Sequence, residues 1–232
     1  MSIKIEDCIF ASPEQMEFVI QGMRNPMNSW EKSDSGIIGP SYDADPIEFV
    51  LGENDRSLMQ RLSKAGSEHR KYLRMLPVWC DITAPLYWWK EFDTYKIGTV
   101  ANSCSTMHKI AEKEFTMEDF SYEHLNRIGT STLWEIIDSL NTARNLYLEG
   151  GEYKGEHYEA KDKQVWWQMI QLLPSSYNQK RSIFMNGEVL LNIYNQRWGH
   201  KLDEWREVCL FIEDCPYWPF IESGVFKKVK GE

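Results

Sequence analysis

Residues 84–107 read Ala84-Pro85-Leu86-Tyr87-Trp88-Trp89-Lys90-Glu91-Phe92-Asp93-Thr94-Tyr95-Lys96-Ile97-Gly98-Thr99-Val100-Ala101-Asn102-Ser103-Cys104-Ser105-Thr106-Met107. The stretch opens on a short, very aromatic run, Pro85 to Phe92, and then turns polar. The adjacent Trp88 and Trp89 suit either a packed core or a platform for a flat ligand, and core packing is the commoner use. Just upstream, Tyr72 to Thr83 reads as a strand region despite Pro77, from its β-branched and aromatic content.

Working outward, Thr130 to Leu148 carries the clearest helical stripe, with Leu133, Ile136, Ile137, Leu140 and Tyr147 on one face. Thr132 with Glu135 reads as a T-x-x-E capping box, and Gly150-Gly151 ends the segment. Lys161 to Leu173 is predicted helical up to Pro174, which cannot continue it. Residues 175–185 alternate as a strand does. Gly187 to Arg197 and Leu202 to Ile212 are predicted helices separated by Gly199, with Asn186 as the cap of the first. Toward the N-terminus, Ser12 precedes Pro13 and a helical pattern to Met23. Residues 31–46 are rich in Ser, Gly, Asp and Pro and read as a loop. Asp55 to Ala65 reads as a helix stopped by Gly66. There is no regular βαβ alternation, so the expected class is a helix-rich α+β domain. No linker or repeat interrupts residues 1–232, which predicts a single domain.

Hydrophobic residues make up 42% of the 232 positions and aromatics 13%, enough to bury a large core. The net charge of −9 excludes a general duplex-DNA binder, which needs a basic face, but leaves room for a local anion site. Five cysteines, an odd number without a Cys-x-x-Cys pair, predict a reducing, cytoplasmic setting. The N-terminal residues lack the order of a signal peptide, and no apolar run approaches the roughly 20 residues of a membrane span. None of the five histidines pairs with another at ligand spacing, so no metal is expected. Phosphate-loop, dinucleotide, nucleophile-elbow and His-Glu-x-x-His motifs are absent.

The quoted stretch resembles the signature region of the flavin-dependent thymidylate synthases. There, an Ala-Pro-led aromatic stretch runs through Arg-Gln into Arg-His-Arg, then two residues, Ser, one residue, Asn-Glu, one residue, Ser, one residue and Arg-Tyr. The match needs no gap. A second segment, Leu173-Pro174 to Trp205, is similar to the family's C-terminal block, with Asn186, Leu190, Asn192 and Arg197 at matching positions. His69 falls where the family has the histidine of Gly-His-Glu. Many chemical groups differ. Arg-His-Arg is here Thr94-Tyr95-Lys96, the preceding Arg-Gln is Lys90-Glu91, Ser is Thr99, and Asn-Glu is Ala101-Asn102. The second Ser is Cys104, Arg-Tyr is Thr106-Met107, the strand Arg is Lys180, and the Arg two residues after Asn186 is Glu188.

The resemblance implies an α+β fold with a central sheet, a homotetramer with sites shared between subunits, and reductive methylation of dUMP using flavin and a methylene folate. It places Arg197, Lys180, Lys96, Lys90, Glu91 and Cys104 toward the nucleotide. It places His69, Thr94, Tyr95, Asn102, Asn186 and Asn192 toward the cofactor. It assigns no catalytic residue. Each charge-assisted hydrogen bond is worth about 1.5–3 kcal/mol. Two lost Arg contacts therefore weaken flavin pyrophosphate binding by about two to four orders of magnitude, so tight FAD binding is not expected. Three readings follow. The chain is an enzyme on a pyrimidine nucleotide with altered cofactor use, a non-catalytic protein that binds or sequesters a nucleotide (as a phage would employ), or an interaction protein that keeps the scaffold. Local structure offers its own uses for these residues: Arg197 suits a helix C-terminus and Asn186 a helix cap.

Overall fold

The computed structural model describes residues 3–39 and 47–226. In chain order the elements are β1 (Lys4–Ile9), α1 (Pro13–Arg24), β2 (Gly36–Ile38), β3 (Glu48–Val50), α2 (Glu53–Ala65), β4 (Pro77–Pro85), α3 (Leu86–Phe92), β5 (Val100–Ser103) and α4 (Thr106–Lys109). Then come α5 (Arg127–Glu149), β6 (Gly151–Tyr153), β7 (Glu156–Tyr158), α6 (Lys163–Leu172), β8 (Asn178–Asn186), α7 (Gly187–Arg197), α8 (Asp203–Asp214) and α9 (Trp218–Ile221). The class is the expected α+β, with a four-stranded antiparallel sheet in the order β1-β4-β8-β5 and two small strand pairs, β2-β3 and β6-β7.

The chain forms two compact units. The first holds Met1–Ile5, Ile82–Thr94 and Asn102–Arg181; the second holds Glu6–Asp81, Tyr95–Ala101 and Ser182–Glu232. In the first unit α5 and α6 pack together. Leu133, Ile137, Leu140 and Ala143 on α5 meet Val165 and Met169 on α6, with Phe115 and Phe120 in the same core. The predicted stripe on α5 thus faces inward. The second unit buries Val19, Ile20 and Met23 of α1, Leu58 and Met59 of α2, Leu190 and Ile193 of α7, and Trp205 and Ile212 of α8.

In the second unit one polar hub is deeply buried. Asp55, fully inaccessible, accepts from the Arg24 guanidinium at 2.5 Å, from the Ser33 and Ser35 hydroxyls, and from the backbone N–H groups of Asp34 and Ser35 at 3.1 and 3.0 Å. Asp34 in turn accepts from the N–H groups of Asn54 and Asp55, the first turn of α2, whose own N-cap is Gly52 without a capping side chain. Burial pushes the Asp55 carboxyl up, but hydrogen bonds from Ser35, Ser33, Arg24 and the Asp34 amide outweigh it and hold the group below the usual aspartate range.

Four local expectations are corrected. Within 31–46, residues 36–38 form β2, with Ile37 opposite Phe49 of β3; residues 40–46 lie outside the described chain. The pairing of two apolar side chains overrides the polar composition around them. Tyr72 opens no strand: Lys71–Met75 is a 3-10 turn that buries Tyr72 and Leu73, and the Tyr72 hydroxyl donates to the Met59 and Phe220 carbonyls. Helix α5 begins at Arg127, because the Asn126 side chain accepts from the N–H groups of Ile128 and Gly129. Thr132 therefore lies inside the helix, its hydroxyl donating back to the Ile128 carbonyl, and is no cap. Helix α6 starts two residues late, at Lys163, because Asp162 takes the capping position.

Candidate functional site

The first unit contains a pocket of about 470 Å³. Period-two alternation puts Asn178 and Lys180 on one face of β8. Lys4 of β1, Thr83 of β4 and Tyr177 line the same space, as do Lys113 and Asp119 from the chain before α5. The remaining wall is Cys104-Ser105-Thr106, the junction of β5 and α4, tied to β8 by the Cys104 N–H donating to the Lys180 carbonyl at 3.0 Å. Three lysines face two carboxylates, Glu118 and Asp119. Asp119 is ion-paired with Lys113 and accepts from the Thr116 N–H at 2.9 Å. Burial pushes the Tyr177 phenol up, and the Asp119 charge adds to it, so Tyr177 stays neutral at ordinary pH.

Gln179, which also lines the pocket, heads a chain of oriented polar groups. The Gln179 amide nitrogen donates to the Cys104 carbonyl at 3.1 Å and to the Thr106 hydroxyl oxygen at 2.9 Å. Its amide oxygen accepts from Arg181 Nε at 3.0 Å. Arg181 reaches Asp93 through Nη1 at 2.7 Å and lies over the Trp89 ring, 4.2 Å from its centroid. The Trp89 indole N–H donates to the Gln179 carbonyl at 2.9 Å. Trp89 is thus a core residue, 1% exposed, that also steadies β8.

In the second unit Tyr95 and Arg197 come together. Arg197 Nε donates to the Tyr95 hydroxyl at 2.9 Å, and the guanidinium stands 4.5 Å from the ring centroid of Trp205. The Tyr95 hydroxyl donates to Gln196 at 3.0 Å. Asn186 caps α7 by accepting from the Val189 N–H at 3.1 Å, as its position predicts. Glu188, in the first turn of the same helix, is ion-paired with Arg74 and lies 3.6 Å from Arg70 Nε. Asn192 is half-buried in mid-α7, Lys96 is exposed, and His69 is exposed in the turn after α2, 3.9 Å from Glu68.

Of the other predicted site residues, Lys90 is exposed and Glu91 half-buried on α3, and the Thr94 hydroxyl donates to the Glu91 carbonyl at 2.7 Å. Asn102 is exposed on β5. The structure brings Lys180 and Cys104 to one pocket and Tyr95 and Arg197 to one cluster, while Lys180 and Arg197 belong to different units. Sequence reasoning missed Lys4, Lys113, Thr106, Gln179 and Arg181. Alternation along β8 was the one available signal, since it puts Gln179 and Arg181 together on the opposite face from Lys180. Among the described residues no three His, Cys, Asp or Glu side chains gather as metal ligands would.

No family model matches the chain, and no curated protein matches it. Solved structures do. Thymidylate synthase X from Helicobacter pylori with FAD and dUMP superposes with a TM-score of 0.61 at 16% identity, over 96% of this chain and 99% of that one. A second structure of the flavin-dependent enzyme from Helicobacter pylori, also complexed with FAD and dUMP, gives 0.59 at 16% identity, over 97% and 100%. The chain has the fold of a flavin-dependent thymidylate synthase. On that fold the signature-like stretch 84–107 runs from the end of β4 through α3 and β5 into α4, so it supplies both the Trp89 anchor and the Cys104–Thr106 wall.

Proposed function

We propose that this chain is a nucleotide-binding protein on the thymidylate synthase fold, holding a pyrimidine nucleoside monophosphate in the Lys180 pocket. The observation that carries this reading is the pocket's chemistry. Its volume of about 470 Å³ suits a small ligand. Its three lysines outnumber its two carboxylates in a protein of net charge −9, with Lys113 and Asp119 paired to each other. Lysine binds phosphate as a point charge, which tolerates the loss of the family's arginine forks. The pyrimidine base is suggested by the dUMP named for both neighbouring structures.

The residues present do not fit a flavin pyrophosphate. In place of Arg-His-Arg, Thr94 bonds the Glu91 carbonyl, Tyr95 is engaged by Arg197, and Lys96 is an exposed cation. Glu188 puts a carboxylate, held by Arg74, on a position of the family's arginine. We therefore derive no hydride step, and sequestration without turnover is the leading form of the proposal. The enzyme form, nucleotide methyl transfer, is favoured by the length of the likeness, which covers nearly all of both chains.

Calorimetry with dUMP and other nucleotides tests the reading. The expected result is saturable dUMP binding weakened about tenfold or more by Lys180→Ala, the loss of one charge-assisted contact. The purified protein is expected to lack the absorbance of bound flavin. A yellow preparation with near one FAD per chain would decide for the enzyme form, and absence of heat with every nucleotide would end the proposal.

A further inference from the structure

We propose that Thr106 is the pocket's neutral hydrogen-bond donor to the ligand's phosphate, with Gln179 and Arg181 as the residues that position it. The inference rests on the nucleotide reading of the same pocket and adds to it a residue, a proton and a direction.

The Gln179 amide can sit only one way. Both nitrogen-bound hydrogens are used, one on the Cys104 carbonyl and one on the Thr106 hydroxyl oxygen. The amide oxygen takes the Arg181 Nε proton. Exchanging oxygen and nitrogen would set two oxygens against each other at Cys104 and two donors against each other at Arg181. Arg181 is itself fixed from two further sides, by Asp93 and by the face of the buried Trp89. The chain of orientation thus runs from a core tryptophan to the pocket wall.

Its last link is Thr106. A hydroxyl has one hydrogen to give and accepts through its lone pairs. The Gln179 N–H occupies the acceptor side of the Thr106 oxygen, so the hydroxyl hydrogen turns away from Gln179. Thr106 lines the pocket and is half-buried, so that hydrogen is available to an acceptor in the pocket. A hydroxyl donor works beside lysines for a specific reason. Lysine supplies charge without direction, whereas an oriented O–H supplies direction without charge. Orientation fixed in advance also removes the entropy cost of ordering the donor on binding.

The test is a double-mutant cycle read by calorimetry with dUMP and with deoxyuridine, which lacks the phosphate. Thr106→Val should weaken dUMP binding about tenfold while leaving deoxyuridine binding and the melting temperature unchanged, and Thr106→Ser should restore it. Gln179→Leu should weaken dUMP binding less, because the hydroxyl remains but is free to turn. The double variant should be no weaker than Thr106→Val alone, since without the hydroxyl Gln179 has nothing to orient. Additive losses would overturn the positioning role. Wild-type binding of dUMP with no loss in Thr106→Val would overturn the donor while leaving the nucleotide reading intact. A wild type that binds no nucleotide would remove both.

Discussion

Asp55 and Arg197 are both charged groups satisfied by neighbours distant in sequence, and each predicts a different measurement. The Asp55 carboxyl is held below its ordinary pKa by the folded state. Its contribution is therefore fully present above the unfolded aspartate value and is lost as pH falls through the folded one. Asp55→Asn should lower stability at pH 7 by about 3 kcal/mol, because Arg24 keeps its charge in a buried site without a counterion. The same variant should show a shallower loss of melting temperature between pH 5 and the acid limit, as about one group's linkage is removed. Thermal melts across that range check both. Arg197→Ala should cost about 1–2 kcal/mol of stability through the lost contact with the Trp205 face and the Tyr95 hydroxyl. Calorimetry should find its dUMP affinity close to that of the wild type. An affinity loss without a change in melting temperature would return Arg197 to the phosphate. Arg197 was legible as a cation ending a helix. Its clasp was not, because Tyr95 and Trp205 lie on separate segments whose meeting no local pattern announces.

At the scale of elements, the cap of α7 carries the sharpest prediction. Gly98 takes φ +82°, and a Cβ there would stand 2.8 Å from the Asn186 amide nitrogen and 3.1 Å from Val189. The turn before β5 and the first turn of α7 thus occupy each other's space within the second unit. Asn186→Ala should cost about 1 kcal/mol, the ordinary value of a lost cap. Gly98→Ala should cost more, because backbone strain and displacement of the cap add; chemical denaturation of both variants ranks them. Asn186 was readable from sequence because a capping residue acts within its own turn. The α5 cap was misread for the same local reason: Thr132-x-x-Glu135 has the right spacing, but Asn126 begins the helix six residues earlier and leaves Thr132 no free N–H to cap. Strand β2 was hidden because its partner β3 lies across a polar stretch, and pairing is not a property of either segment alone.

For the whole molecule, the α+β class was legible in helix periodicity, and the resemblance carried by residues 84–107 and 173–205 pointed to the fold of the similar solved structures. The division into two compact units was not visible, because each unit is assembled from three separated segments and no linker marks the change. No helix among the described residues is long and apolar enough to cross a membrane. Large apolar side chains are left open in both units, Ile128 and Trp134 on α5 in the first and Ile97 and Val100 in the second, with Ile97 93% exposed. We expect these surfaces to be covered in a homo-oligomer, for which the sequence resemblance implies a tetramer. Light scattering should give a mass near four chains, and a stable species at the 27.4 kDa of one chain would refute it. The Asp55 hub also governs how fast nearby amides exchange with solvent. The N–H groups of Asp34 and Ser35 belong to no helix or strand, yet both end on a carboxylate closed off from water. In deuterium they should keep their protons as long as the amides of α1 and α2 do, exchanging only when the second unit opens as a whole. The slowest loop signals in the protein would then mark residues that secondary structure alone ranks among its most labile.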